Sequence, residues 1–215
     1  MSNTISGDKS YGCGMHDGRR PETPYETVLK AFVPLLERFN YRKIVGLYRM
    51  GCSESKDKHA IPFLLPREQT EQFMGLHEVL TVYREALTFV QMSEPGSVGC
   101  CVKKAVEISQ TFQYYQQQCQ VVALVIVNKD SSSYKDFEAL CAASNYPISV
   151  IVVALGDGPF KQLSEFESMK GRAFLNYQFV NFTALQKKKT GKEIAESVVK
   201  GLEKQRAQMK ALGFL

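Results

Sequence analysis

The chain has 215 residues, 44% of them hydrophobic and 23% charged, with a formal net charge of +5. That length and composition exclude disordered and fibrous classes and suit one large domain with a full core. No apolar run reaches the length of a membrane span, residues 1–10 are too polar for a secretory signal, and no dense basic patch lies beside aromatics. The expected compartment is therefore the cytoplasm, and no nucleic-acid partner is expected.

Residues 1–24, rich in glycine, serine and charge, read as an irregular arm ahead of one domain over 25–215. From Tyr25 the apolar spacing is helical, through Val28, Leu29, Phe32, Val33, Leu36 and Phe39, with Pro34 expected to kink or break the helix. The stretches KIVGLYRM (43–50) and AIPFLL (60–65) are strand candidates, and Pro62 assigns the second to an edge. Helical periodicity returns over 70–87 and 98–115.

VVALVIV (121–127) reads as a strand buried on both faces, and it stops abruptly in Asn-Lys-Asp-Ser-Ser-Ser. Ser131, Ser132 and Ser133 are candidate N-caps for a short helix over 134–143. PISVIVVAL (147–155) is a second such strand, closed by the turn Gly156-Asp157-Gly158-Pro159. A helix over 160–168, a strand over 176–185 and a long helix over 192–212 complete the chain. Strands alternating with helices predict an α/β fold: a doubly wound, mostly parallel sheet, Rossmann-type, with helices on both faces and one antiparallel edge strand.

Enzyme chemistry finds little support in the residue pattern. The six cysteines, Cys13, Cys52, Cys100, Cys101, Cys119 and Cys141, lack metal-ligand spacing and are expected to be reduced and mostly buried. A nucleophile at Cys100 or Cys101 would need His16, His59 or His77 close in space. The glycine turn at 156–158 lacks the spacing of a phosphate loop or a dinucleotide fingerprint.

Several segments together resemble one family. Ala143-Ser144, Pro147-Ile148-Ser149-Val150, Gly156-Asp157-Gly158-Pro159-Phe160 and Asn176-Tyr177-Gln178-Phe179-Val180-Asn181-Phe182 are similar, in order and spacing, to the von Willebrand A-type domains of copines and of plant RING ubiquitin ligases. Looser matches are Thr23-Pro24-Tyr25-Glu26 and the helix GLHEVLTVYREAL. The resemblance implies a metal-ion-dependent adhesion site, in which oxygen side chains from three loops hold Mg²⁺ or Mn²⁺ and a partner carboxylate completes the octahedron.

Carried over residue by residue, that site is degenerate here. Of the D-x-[ST]-x-S loop only Ser2 has a counterpart. The second-loop threonine falls on Gly96, beside Ser97, and the last aspartate falls on Lys129, with Asp130 one residue late. No cofactor is expected beyond weak Mg²⁺ or Mn²⁺ binding conditional on Asp130 turning inward. The resemblance also implies a central first strand between the strands read at 43–50 and 121–127, which has no counterpart in these residues.

The resulting expectation is a non-catalytic protein-interaction module with a binding rim of Ser2, Asn3, Ser97, Lys129, Asp130 and Asp157. The alternative is an enzyme or nucleotide-binding protein on the same scaffold. Candidate partners are an unidentified protein, an anionic membrane surface reached by the basic C-terminal helix, and a second copy of the chain.

Overall fold

A computed structural model of the chain describes residues 9–12, 14–40, 42–63, 72–93 and 96–215. The elements are α1 (Pro24–Leu36), a 3-10 turn (Glu37–Phe39), β1 (Ile44–Gly46), β2 (Tyr48–Arg49), β3 (Ile61–Pro62), β4 (Gln72–Met74) and α2 (Gly75–Ala86). They continue with α3 (Val98–Tyr114), β5 (Val121–Val127), α4 (Tyr134–Ala143), β6 (Ile148–Ala154) and α5 (Lys161–Glu165). The last are β7 (Tyr177–Asn181), α6 (Phe182–Gln186) and α7 (Gly191–Ala211).

β5, β6 and β7 form a parallel sheet in that order. β6, in the middle, is buried at every residue. Its alternation sends Ile151, Val153 and Leu155 into one core and Ile148, Val150, Val152 and Ala154 into another. The first core also takes Val28 and Phe32 of α1, Val79 and Val82 of α2, and Ile194 and Val198 of α7. The second takes Val102 and Ala105 of α3, Phe137 and Leu140 of α4, and Leu163 of α5. Helices therefore cover both faces, as a doubly wound von Willebrand A-like fold requires.

Four local expectations need correction. The stretch 43–50 breaks at Leu47: β1 pairs antiparallel with β4, and β2 with β3. Two short antiparallel pairs thus replace the single antiparallel edge strand, and Pro62 lies in one of them. The helix expected from residue 70 begins only at Gly75. That glycine has φ +71° and donates its amide to Lys43 O over 2.8 Å, separating β4 from α2 in a conformation other residues adopt at a cost.

β7 ends at Asn181 because its side chain accepts from Ala184 N over 3.0 Å and caps α6. Pro34 does not break α1, which runs on to Leu36. Pro34 and Lys30, whose carbonyl the proline deprives of a donor, both face solvent, where water can serve instead.

The arm closes onto the domain through α1. Thr23 Oγ1 accepts from Glu26 N over 3.2 Å and Thr23 N donates to Glu26 Oε2 over 2.7 Å, a reciprocal cap. Arg84 of α2 grips the same carboxylate at 2.6 and 2.7 Å. Met15 is fully buried in the first core, and His16 is buried beside it.

Among the described residues β5 is paired on one side only, and no described strand lies along its other edge. Val121 N reaches Pro147 O and Leu155 N reaches Val127 O, both at 2.8 Å. The backbone groups of Val121, Ala123, Val125 and Val127 therefore face β6, and those of Val122, Leu124 and Ile126 face the open edge. Only Val125 and Val127 are fully buried, fewer than expected of a strand covered on both faces.

Candidate functional site

The rim lies at the carboxyl ends of β5, β6 and β7, where open α/β sheets bind their ligands. Three loops and the arm meet there. Each acidic side chain among the described rim residues is held by donors from the protein itself, and three separate networks result.

Asp136, the third residue of α4, carries the first. Its Oδ2 accepts from Ser133 N at 2.6 Å and Ser133 Oγ at 2.9 Å, so Ser133 is the N-cap among the three candidate serines. Its Oδ1 accepts from Ser97 Oγ at 2.5 Å and Gly99 N at 2.6 Å. Ser97, expected to face a ligand, instead joins the start of α3 to the start of α4. Sequence reasoning missed Asp136, although Ser133-x-x-Asp136 is the spacing of a capping box.

Asp130 carries the second network. Its Oδ2 accepts from Gln162 N at 2.9 Å and Leu163 N at 3.3 Å, the first amides of α5, while Oδ1 accepts from Ser132 N at 3.3 Å and from Ser132 Oγ. It is turned toward α5. Ser131 Oγ donates to Gly96 O, so the second loop is tied to the third.

Asp157 carries the third. Its Oδ2 accepts from Lys9 N at 2.8 Å, and its Oδ1 from Ser10 N at 3.1 Å and Ser10 Oγ at 2.6 Å. Tyr11 Oη lies 3.0 Å from Thr183 Oγ1, which in turn accepts from Gly156 N at 2.7 Å. The arm is thereby tied to the turns after β6 and β7.

Ser97, Asp130 and Asp157 are thus each engaged in a different one of these networks, and Lys129 is exposed. Ser2 and Asn3 lie outside the described residues. A small cavity of about 20 Å³ is lined by Tyr25, Met50, Gly96, Ile126, Val127, Asn128 and Lys129. Among the described residues no group of three or more histidine, cysteine or acidic side chains is placed to hold a metal. Carboxylates that already accept three or four hydrogen bonds from fixed amides and hydroxyls fit a Mg²⁺ shell poorly, because the ion demands near-ideal octahedral geometry.

Nucleophilic chemistry fares no better. His59 and His77 face solvent. His16 Nδ1 lies 2.8 Å from Tyr83 Oη, its ring centroid is 4.0 Å from that of Tyr25, and burial pushes its pKa down to about 3. Burial also raises the phenols of Tyr25 and Tyr83. His16 is a neutral core group.

The model of the copine family matches residues 15–215. The chain belongs to the copine family. Over 204 residues this copine domain is 28% identical to "E3 ubiquitin-protein ligase RGLG5" of Arabidopsis thaliana, covering 87% of this chain and 45% of that relative. It is 30% identical over 161 residues to "Copine family protein 2" of Caenorhabditis elegans, covering 74% of this chain and 2% of that protein. It is 22% identical over 147 residues to "Nicotinic receptor-associated protein 1" of Caenorhabditis elegans, covering 67% of this chain and 23% of that protein. The copine domain therefore spans less than half the length of these relatives.

Proposed function

We propose that this copine domain is a protein-interaction module that engages its partner without a bridging metal. One observation carries the reading: Asp130, Asp136 and Asp157 are each bound by internal donors that fasten loops, leaving the rim with locked carboxylates and the exposed Lys129. An ammonium there can meet a partner carboxylate directly, the contact a bound cation makes in a metal-dependent domain. Such a contact favours acidic segments, and its association rate falls with salt.

Self-association through the edge of β5 that no described strand covers is a second part of this proposal. Unpaired strand edges recruit other strands, and Val122, Leu124 and Ile126 present three consecutive outward backbone positions. The basic residues of α7 support membrane attachment less well. Lys192 approaches Glu196 at 4.0 Å, and Glu203 stands beside Lys204, so both signs share the exposed face. No described helix is long and apolar enough to cross a membrane. Ubiquitin ligation belongs to the plant relatives by name, and this chain's contribution to such a protein would be binding.

The test is capture of partners by the wild-type chain and by Lys129→Glu, each with Mg²⁺ and with a chelator. Partners retained equally in both buffers but lost on charge reversal support the reading. Partners lost in chelator and indifferent to Lys129→Glu would oppose it.

A further inference from the structure

Asp157 holds the arm by its backbone as much as by its side chains. Two successive amides, Lys9 N and Ser10 N, donate to Oδ2 and Oδ1 at 2.8 and 3.1 Å, and Ser10 Oγ adds a bond to Oδ1 at 2.6 Å. Tyr11 Oη donates to Gln186 Oε1 over 3.1 Å. Its one proton is thereby spent, so Thr183 Oγ1, 3.0 Å away, donates to the phenol while accepting from Gly156 N. Three consecutive arm residues are thus read by the turn after β6 and by α6.

We propose that Asp157, Thr183 and Gln186 form a recognition site for a short Ser-Tyr segment of a protein partner, and that residues 9–11 fill it in cis as a displaceable strap. The arrangement supplies the specificity. Two amides in succession exclude proline, and a hydroxyl at the second position completes the bonding of the carboxylate. A phenol at the third position bridges Thr183 and Gln186, which a phenylalanine cannot do. The first position is read through its amide, so its side chain is left open.

The strap can leave without unfolding the domain. Lys9, Ser10 and Asp157 are exposed, and Tyr11, Thr183 and Gln186 are half-buried, so water can replace each bond as the arm departs. Among the described arm residues the first buried one is Met15. Gly12 lies between at φ +63°, with open space where a β-carbon would stand. A rotation there releases residues 9–11 while Met15, His16 and the Thr23 cap keep α1 in place. Tethering gives the strap an effective concentration of about millimolar, so a partner segment competes against it. The site draws on Asp157 rather than Lys129, so it goes beyond the charge contact proposed above and is tested apart from it.

The experiment is fluorescence anisotropy of the full chain with a labelled peptide copied from residues 6–12, Ser-Gly-Asp-Lys-Ser-Tyr-Gly. The wild-type chain should bind it weakly, because its own strap competes. The double variant Ser10→Pro, Tyr11→Ala frees the site and should bind the peptide at least about tenfold more tightly, as expected when an occupant fills a site nine-tenths of the time or more. Adding Asp157→Ala to that variant should abolish the gain. A peptide with alanine for the serine and phenylalanine for the tyrosine should fail to bind the same double variant, a control that needs no further protein to fold. Equal affinity of the wild-type chain and the double variant, binding to neither, retention after Asp157→Ala, or equal binding of the two peptides would each overturn the proposal.

Discussion

Gly99 lies directly against Asp136: its amide donates to Oδ1 over 2.6 Å, and a β-carbon built on Gly99 would stand 2.6 Å from that same oxygen and 3.2 Å from Asp136 Cα. Only a glycine lets α3 begin this close to α4. The contact fixes Ser97 and the second rim loop through the same carboxylate.

Gly99→Ala should therefore destabilise the domain by about 1–3 kcal/mol, from crowding and the strained or lost bond to a carboxylate. Asp136→Asn keeps the volume but halves the acceptor capacity, and should cost a comparable amount. Urea melts of both variants check this. A Gly99→Ala protein as stable as wild type would mean that α3 and α4 are not joined here.

His16 makes stability depend on acidity. Its folded pKa is depressed to about 3, first by burial, so the folded chain holds it neutral among Tyr25 and Tyr83 while an unfolded chain protonates near 6.5. The stabilisation is complete above about pH 6.5 and falls as pH drops toward about 3, by up to about 1.4 kcal/mol per unit. His16→Phe removes this dependence, so its stability should decline less steeply than wild type between pH 6.5 and pH 4. Parallel curves in chemical denaturation would show that His16 protonates freely.

Packing on the central strand gives a sharp contrast between two positions. Ile151 is fully buried in β6, and Lys188 is exposed after α6. Ile151→Ala should cost about 2–5 kcal/mol, and Lys188→Ala under about 0.5 kcal/mol. Equal shifts in denaturant midpoint would contradict the placement of β6 at the centre.

These strands were also the most legible part of the sequence. Runs dominated by valine, isoleucine and leucine mark β5 and β6, and the serines at 131–133 mark the start of α4. The stretch 43–50 misled because its apolar content matches a single strand, whereas its division at Leu47 depends on two different partners far along the chain. Apolar spacing carried the helix back to residue 70 because Phe73 is buried in β4 just as a helical residue would be. At the rim, residue types could be placed in order, but not their partners. Asp130 and Asp157 have polar neighbours in sequence that would suit ligand binding equally well, and their engagement with α5 and the arm is set by contacts 32 to 148 residues apart.

The edge of β5 that no described strand covers predicts self-association. With Val122, Leu124 and Ile126 turned away from β6, the 215-residue chain should dimerise or form larger assemblies at micromolar concentration. Light scattering decides it. A Leu124→Pro variant, which adds an amide-free residue at that edge without removing a bond to β6, should shift the distribution toward monomer. A wild-type chain that is monomeric and stable would show that the edge is already covered.

The most direct test of the metal-free rim is thermal unfolding across a titration of Mg²⁺ or Mn²⁺ to millimolar levels. With Asp130, Asp136 and Asp157 already bound by internal donors, the melting temperature should not move. A single site at a hundredfold excess over Kd would add about 2.7 kcal/mol, and for a domain of this size that raises the melting temperature by several degrees. A saturable upward shift of that kind, abolished by Asp130→Ala, would contradict the account.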